Sequence, residues 1–532
     1  LYRDSGGPED RAEEVVRRLD GHPLALEMAA VHTRWLGVGP LLERLEKPGF
    51  LRTRRKEQPP RQASLDVVLT DAWERSLPDY RRCLAALAAF RGSFDLEAAE
   101  TVAGADVVAA LPDLTERGLV VQVGPQRYRL PHTVAAFARR HIEQVALEAH
   151  LAWCHGSAVD ALNASVYGLH AAVETELSAA LEQGHHDLWI ASALARSWSF
   201  RQPAGRILEL LEPLADGAAP DRAGVAAHIC LGIAYEQLLR SADASRSRAT
   251  AEDLAVESGD ARSRFDAAYE RIRWSIDTDQ ASEADILAAL DLCGGDEGRE
   301  ARIWGLRGNM ARRARDRDAS NRAFERALAL ASRAGRADPE VSALLGLISN
   351  AIEMGAVART EELLRQAHRA VSRAQDPSRR THVLHVEAHH AAMIGDHVRA
   401  RGGFEEVARV ADALGNRMLW CRAMINLAIL HLEDGELEPA RDRLADALGS
   451  YHPDDGRRGI ALAFVGILDL LCGRPAGAAR RLEQAIALQP TLFGSLHVAL
   501  VGWWVVAQGL QGDDRTHRLD DLHAQHPAQQ AF

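Results

Sequence analysis

Three groups of residues in this 532-residue chain could do chemistry: its two lysines, a run of histidines near residue 385, and His132. A loop that cradles phosphates needs a lysine after Gly-x-x-x-x-Gly, because backbone N–H groups hold the phosphates while the ammonium reaches the terminal ones. Lys47 sits in Leu45-Glu46-Lys47-Pro48-Gly49 and Lys56 in Arg54-Arg55-Lys56-Glu57-Gln58, so neither qualifies. The chain alone is therefore not expected to hydrolyse a nucleotide, nor to be an enzyme: no nucleophile–base pair or paired-carboxylate pattern stands out. His382, His385 and His389 are three and four apart and share one helix face, with His390 and His397 close by. Such spacing can hold zinc. However, no cysteine or third-helix ligand accompanies them, and the chain has 22 histidines, so no metal is expected.

The elements that position these residues are mostly helical. Hydrophobic residues make up 47% of the chain and aromatic ones only 5%. With Ala, Leu and Arg abundant, that composition suits closely packed helices better than a β-sandwich. The net charge of −12 argues against a general nucleic-acid footprint. The six cysteines are dispersed without a Cys-x-x-Cys, as expected for buried thiols in a reducing cytoplasm. No apolar run reaches the ~18 residues of a membrane span. The chain begins Leu1-Tyr2-Arg3 without methionine or signal peptide, and reads as a fragment.

Near the start, Arg17 to Leu19 closes one helix, Gly21-His22-Pro23-Leu24 makes a corner, and a second helix begins at about Pro23. Gly21 can take a positive φ, and Pro23 in the first turn leaves no N–H unpaired. A basic, proline-containing linker, Arg52 to Arg61, follows and reads as a solvated hinge. From Ser64, helices are expected over 64–73, 77–87, 95–102 and 106–116, with Phe90 to Phe94 as a turn. Gly118 to Val123 and Arg127 to Leu130 then form a hairpin around Gly124-Pro125-Gln126. Helices followed by a two-stranded wing predict a winged helix. It is not expected to bind DNA: nine arginines face eleven carboxylates between Ser64 and Glu143, and Asp95, Glu97 and Glu100 on the would-be groove helix would repel phosphates.

Residues 145–510 read as a series of helix pairs. Phe324/Ala327, Leu364/Ala367, Phe404/Val407, Leu444/Ala447 and Leu482/Ala485 recur at spacings of 40, 40, 40 and 38. Twenty positions before each first member stands Trp304, Leu344, Leu384, Met424 or Leu462. Sixteen before stands Gly308, Ile348, Ala388, Ala428 or Gly466. Alternation of large and small residues at these offsets is similar to the tetratricopeptide repeat, lengthened in its turns. Small residues let a helix pair close, and large ones fill the gap to the next pair. Such stacks form a superhelix that binds a peptide or protein.

This order of parts resembles the C-terminal portion of a STAND-type (NB-ARC-like) signalling ATPase that lacks its P-loop domain. Gly21-His22-Pro23-Leu24 resembles that family's "GLPLAL" element, in which the proline packs on adenine. Pro131-His132-Thr133 resembles its "MHD" motif, whose histidine reaches the β-phosphate of ADP and holds the inactive state. The resemblance thus implies Gly21, Pro23, Leu24 and His132 as ADP/ATP contacts, made only with the missing upstream domain. The expected fold is all-α, with four parts: a helical domain (1–60), a winged helix with a small β-wing (61–145), a solenoid of tetratricopeptide-like helix pairs (146–511) and a polar tail (512–532). The expected role is the sensor part of a bacterial, cytoplasmic signalling or transcriptional regulator. A protein or peptide binds its repeats, direct nucleic-acid and membrane contacts are absent, and ATP binding could bring oligomerisation. The competing reading is a nucleotide-independent scaffold.

Overall fold

The computed structural model describes residues 12–18, 26, 29, 30, 33, 36–44, 65–164, 169–199, 201–277, 280–374, 378–451, 456–488 and 494–511. It divides into two compact units, residues 1–163 with 169–190 and residues 164–168 with 191–532. Gly21, Pro23, Leu24 and the basic linker 52–61 lie outside the described residues.

In the first unit, α1 (Ala12–Arg18) and α2 (Val38–Arg44) are followed by α3 (Leu65–Glu74) and α4 (Pro78–Leu87). Pro78 begins α4, where a missing N–H costs nothing. Next come α5 (Leu96–Ala103) and α6 (Val107–Glu116). Asp95 caps α5 by accepting from Ala98 N at 2.9 Å, satisfying one otherwise orphaned donor. Strands β2 (Val121–Gly124) and β3 (Arg127–Arg129) form the expected hairpin, turned at Gln126 with φ of 54°. The Phe90–Phe94 stretch differs from the expected turn at its last residue. Phe94 pairs with Tyr128 as β1 (Phe94–Asp95), so the sheet has three antiparallel strands in the order β1-β3-β2. The cause is packing: Phe94 is buried, stacks on Tyr128, and lies 4.8 Å from the Phe90 ring. The unit ends in α7 (His132–Ala138), α8 (Gln144–Ala164) and α9 (Ala171–Glu182).

After α10 (Leu188–Trp198) and α11 (Ala204–Ala215), the second unit is an α-solenoid of tetratricopeptide-like helix pairs. Its inner and outer helices alternate: α12 (Arg222–Gln237) with α13 (Ser241–Ser258), α14 (Ala261–Asp277) with α15 (Glu283–Asp291), and α16 (Glu297–Arg313) with α17 (Arg317–Arg333). The series continues as α18 (Ala337–Glu353) with α19 (Val357–Val371), α20 (Ser378–Met393) with α21 (His397–Ala413), and α22 (Arg417–Glu433) with α23 (Leu437–Ser450). It finishes with α24 (Gly459–Leu471), α25 (Pro475–Leu488) and α26 (Gly494–Gly509). Among the described residues no helix is long and apolar enough to cross a membrane.

The large–small periodicity is the packing rule of this array. Phe324 is clamped between two glycines: a Cβ on Gly308 would lie 2.7 Å from its ring, and one on Gly346 of the next inner helix 2.3 Å. A Cβ on Gly466 would likewise lie 2.7 Å from Leu482. In several pairs the turn takes one left-handed residue. Gly355, Gly395, Gly435 and Gly473 supply it with φ of 65°, 79°, 77° and 70°, but Arg315 stands at the equivalent place with φ of 64°.

Two opposite effects are expected. Gly346→Ala forces a methyl into the Phe324 ring and lowers stability by about 2 kcal/mol in denaturant unfolding. Arg315→Gly relieves a left-handed L-residue on an exposed turn, and raises stability by about 0.5 kcal/mol after the entropy of glycine is set against it.

Candidate functional site

The second unit winds until it meets itself. Ala204 N donates to Leu414 O at 3.3 Å, and Arg457 Nη2 to Ser241 Oγ at 2.9 Å, across 216 residues of sequence. Buried Leu239, in the turn after α12, joins the same apolar cluster as Cys421, Met424 and Leu427 of α22. Six inner helices, α12, α14, α16, α18, α20 and α22, thereby line a cavity of about 630 Å³.

Charge dominates this lumen. Glu236 of α12 is buried, and burial alone would raise its pKa. Arg273 and Arg248 outweigh that and hold the carboxyl near 2, with Arg457 adding to the effect. Arg273 reaches it through Nη1 at 3.1 Å and Nη2 at 2.6 Å, and Arg248 Nη2 donates to the same oxygen as Arg273 Nη2. Asp266 of α14 is also held low against its own burial, by Arg196, Arg302 and Arg222. The Arg302 guanidinium lies 3.8 Å from the Tyr269 ring centroid, which fixes it by a cation–π contact. Three further lining arginines, Arg262, Arg336 and Arg422, make no ion pair with a carboxylate among the described residues.

The histidine stretch is part of α20, and its rings are used in packing. His385 and His389 stand edge-on to Phe404 at 5.6 and 5.1 Å between centroids, and His382 Nδ1 is 2.9 Å from Ser378 O. Burial, with Arg422 nearby, drives the pKa of His385 well down and that of His389 to about 4, so both are neutral near pH 7. Among the described residues no three His, Cys, Asp or Glu side chains are grouped to hold a metal.

His132 is the first residue of α7 and is exposed, immediately after the hairpin. Its expected companions Gly21, Pro23 and Leu24 lie outside the described residues, so the pairing of Pro23 with His132 has no geometry here.

Sequence reasoning missed a buried joint in the first unit. Glu176 of α9 is fully buried and accepts from Arg91 N at 2.9 Å, Gly92 N at 2.6 Å and His150 Nε2 at 3.1 Å. It ties the turn after α4 to α8 and α9. A Cβ on Gly92 would lie 3.3 Å from its carboxylate, so the small residue permits the approach. Its stretch, Ala171 to Leu181, also holds Glu174, Thr175 and Ser178, so nothing local marked Glu176 as buried. The lumen arginines were also missed, although their sidedness is visible as arginines along successive inner helices.

No family profile and no curated protein matches this chain. Among solved structures it is similar to a Signal Transduction ATPase with Numerous Domains (STAND) protein with a tetratricopeptide repeat sensor from Pyrococcus horikoshii. Identity is 13% over 99% of this chain and 73% of that one, with a TM-score of 0.36. It is also similar to a Rap protein complexed with competence and sporulation factor (11% identity, 65% of this chain and 99% of that one, TM-score 0.39) and to yeast Tom70 (13%, 94% and 85%, TM-score 0.32). The helix-pair assignment rests on the packing described above rather than on these likenesses.

Removing the central carboxylate tests the charge network. Glu236→Gln leaves Arg248 buried without its counter-charge and is expected to lower stability by about 3 kcal/mol at pH 7. Because the folded pKa of Glu236 lies below its ordinary 4.5, its contribution is complete above pH 4.5 and fades as pH falls toward about 2. The wild-type and variant unfolding free energies should therefore converge through that window.

Proposed function

We propose that this chain is the regulatory and sensor portion of a bacterial STAND-type signal-transduction ATPase, cytoplasmic and acting in signalling or transcription. In this reading a protein or peptide occupies the lumen of the repeats. The helical segment and a winged-helix segment gate ADP or ATP held by a P-loop domain outside this chain, and the ATP-bound form is the one that would oligomerise. The chain is then no enzyme by itself, since neither lysine can serve a phosphate loop. The observation that carries the interaction role is the lumen: six inner helices converge on one charged cavity that the packing of the array does not fill. The gating role is supported by a hairpin that leads directly into an exposed His132. An imidazole there can donate to a phosphate near neutral pH.

The second reading, a nucleotide-independent scaffold, shares the lumen and dispenses with the gate. In the chain joined to its P-loop domain, His132→Ala is expected to weaken ADP binding about tenfold, the loss of one hydrogen bond to a charged group, and to raise basal activity. Unchanged ADP affinity and activity would leave the scaffold reading.

A further inference from the structure

We propose that the lumen selects an acidic peptide segment, whose carboxylates pair with Arg262, Arg336 and Arg422. The proposal rests on the interaction role above and adds the chemistry of the ligand.

The lining is net positive. It carries nine arginines and five carboxylates, within a chain of net charge −12. An acidic protein has thus concentrated positive charge on one concave surface, where low-dielectric walls strengthen the field. The five carboxylates cancel only part of it, and three of them are bonded to arginines. Glu236 is shared by Arg248 and Arg273, Glu270 is bonded by Arg273 Nε at 2.9 Å, and Asp266 is shared by Arg222 and Arg302.

Three lining arginines remain without a carboxylate partner among the described residues. Arg262 is on α14, Arg336 directly precedes α18 and Arg422 is on α22, so the three stand on every second rung of the inner wall. Arg262 Nε is buried with no hydrogen-bond partner, and an orphaned buried donor carries an energetic penalty until an acceptor arrives. Arg336 lies across Gly298, where a Cβ would meet its Cγ at 3.1 Å. The glycine makes room for the arginine beside the lumen. Guanidinium groups prefer planar, bidentate oxyanions, and a carboxylate matches them.

The lining suits a peptide better than a nucleic acid. Single strands are held by exposed aromatic faces on which bases stack. The two Phe, Tyr or Trp rings of the lining are Tyr269 and Phe324. Arg302 covers Tyr269, and Phe324 is clamped by Gly308 and Gly346. Leu345, Val386 and Met418 instead offer apolar patches between the arginines, which suits a chain of alternating acidic and apolar side chains.

The test is fluorescence anisotropy on the whole chain with four labelled probes of equal length. These are a peptide of alternating glutamate and alanine, its glutamine and lysine counterparts, and oligothymidine. The glutamate peptide should bind, and the glutamine peptide at least tenfold more weakly. Arg262→Gln, Arg336→Gln and Arg422→Gln should each weaken the glutamate peptide about tenfold while leaving the melting temperature unchanged. Equal binding of the glutamine or lysine peptide would overturn the charge selection and leave the interaction role standing. Binding of no peptide would overturn both. Tighter binding of oligothymidine than of the glutamate peptide, or full affinity in all three variants, would also overturn the proposal.

Discussion

The architecture of the repeat array depends on how closely its helices can approach, and Phe324 sets that limit most visibly. Its ring occupies the space that side chains would fill on Gly308 and Gly346. One glycine lies on the inner helix of its own pair and the other on the inner helix of the next. The same ring therefore fixes the distance within a pair and the step between pairs. Large residues recur at Leu364, Phe404, Leu444 and Leu482, and helix pairs stacked through a repeated contact build a curved array. Curvature brings Leu239 against α22 and Ala204 against Leu414. The lumen is thus a consequence of side-chain size at a few positions.

The closed turn places an electrostatic demand on its interior. Glu236, Arg248 and Asp266 are buried charges, and desolvating such groups is costly unless geometry and hydrogen bonding compensate. They are compensated in sets rather than pairs, with Glu236 shared by two arginines and Asp266 by three. Arg457, which bonds Ser241 across the closure, also helps to hold Glu236 ionised. The network thus links inner helices that the apolar ladder alone would leave free to shear. The arginines that no carboxylate engages are left facing the lumen.

Much of this was legible in the sequence, for identifiable reasons. The 40-residue period appeared because each pair repeats the same steric problem, and the residues at −16 and −20 from Phe324 and its equivalents fall on the inner helices as expected. The 121–129 hairpin is a local event, written in local residues. What escaped was non-local. Phe94 joins the sheet because Tyr128 is waiting thirty-four residues later in the chain. Glu176 reads as a surface acid until Arg91 and Gly92 present their amides. The closure joins residues 216 apart, and no periodicity reports whether a superhelix meets itself. Helical spacing of His382, His385 and His389 was real, and two of those rings face Phe404. For Gly21, Pro23 and Leu24 the sequence remains the only guide.

The array closes on itself, and a single amide reports it. Ala204 is the first residue of α11, where an N–H has no partner inside its own helix. Its acceptor is Leu414 O, on the far side of the turn. Residue-resolved hydrogen exchange on the intact chain should find the Ala204 amide protected to the same degree as amides within α22. Exchange of Ala204 at the rate of a free helix N-terminus, with α22 still protected, would mean that the turn is open and that the lumen is not enclosed.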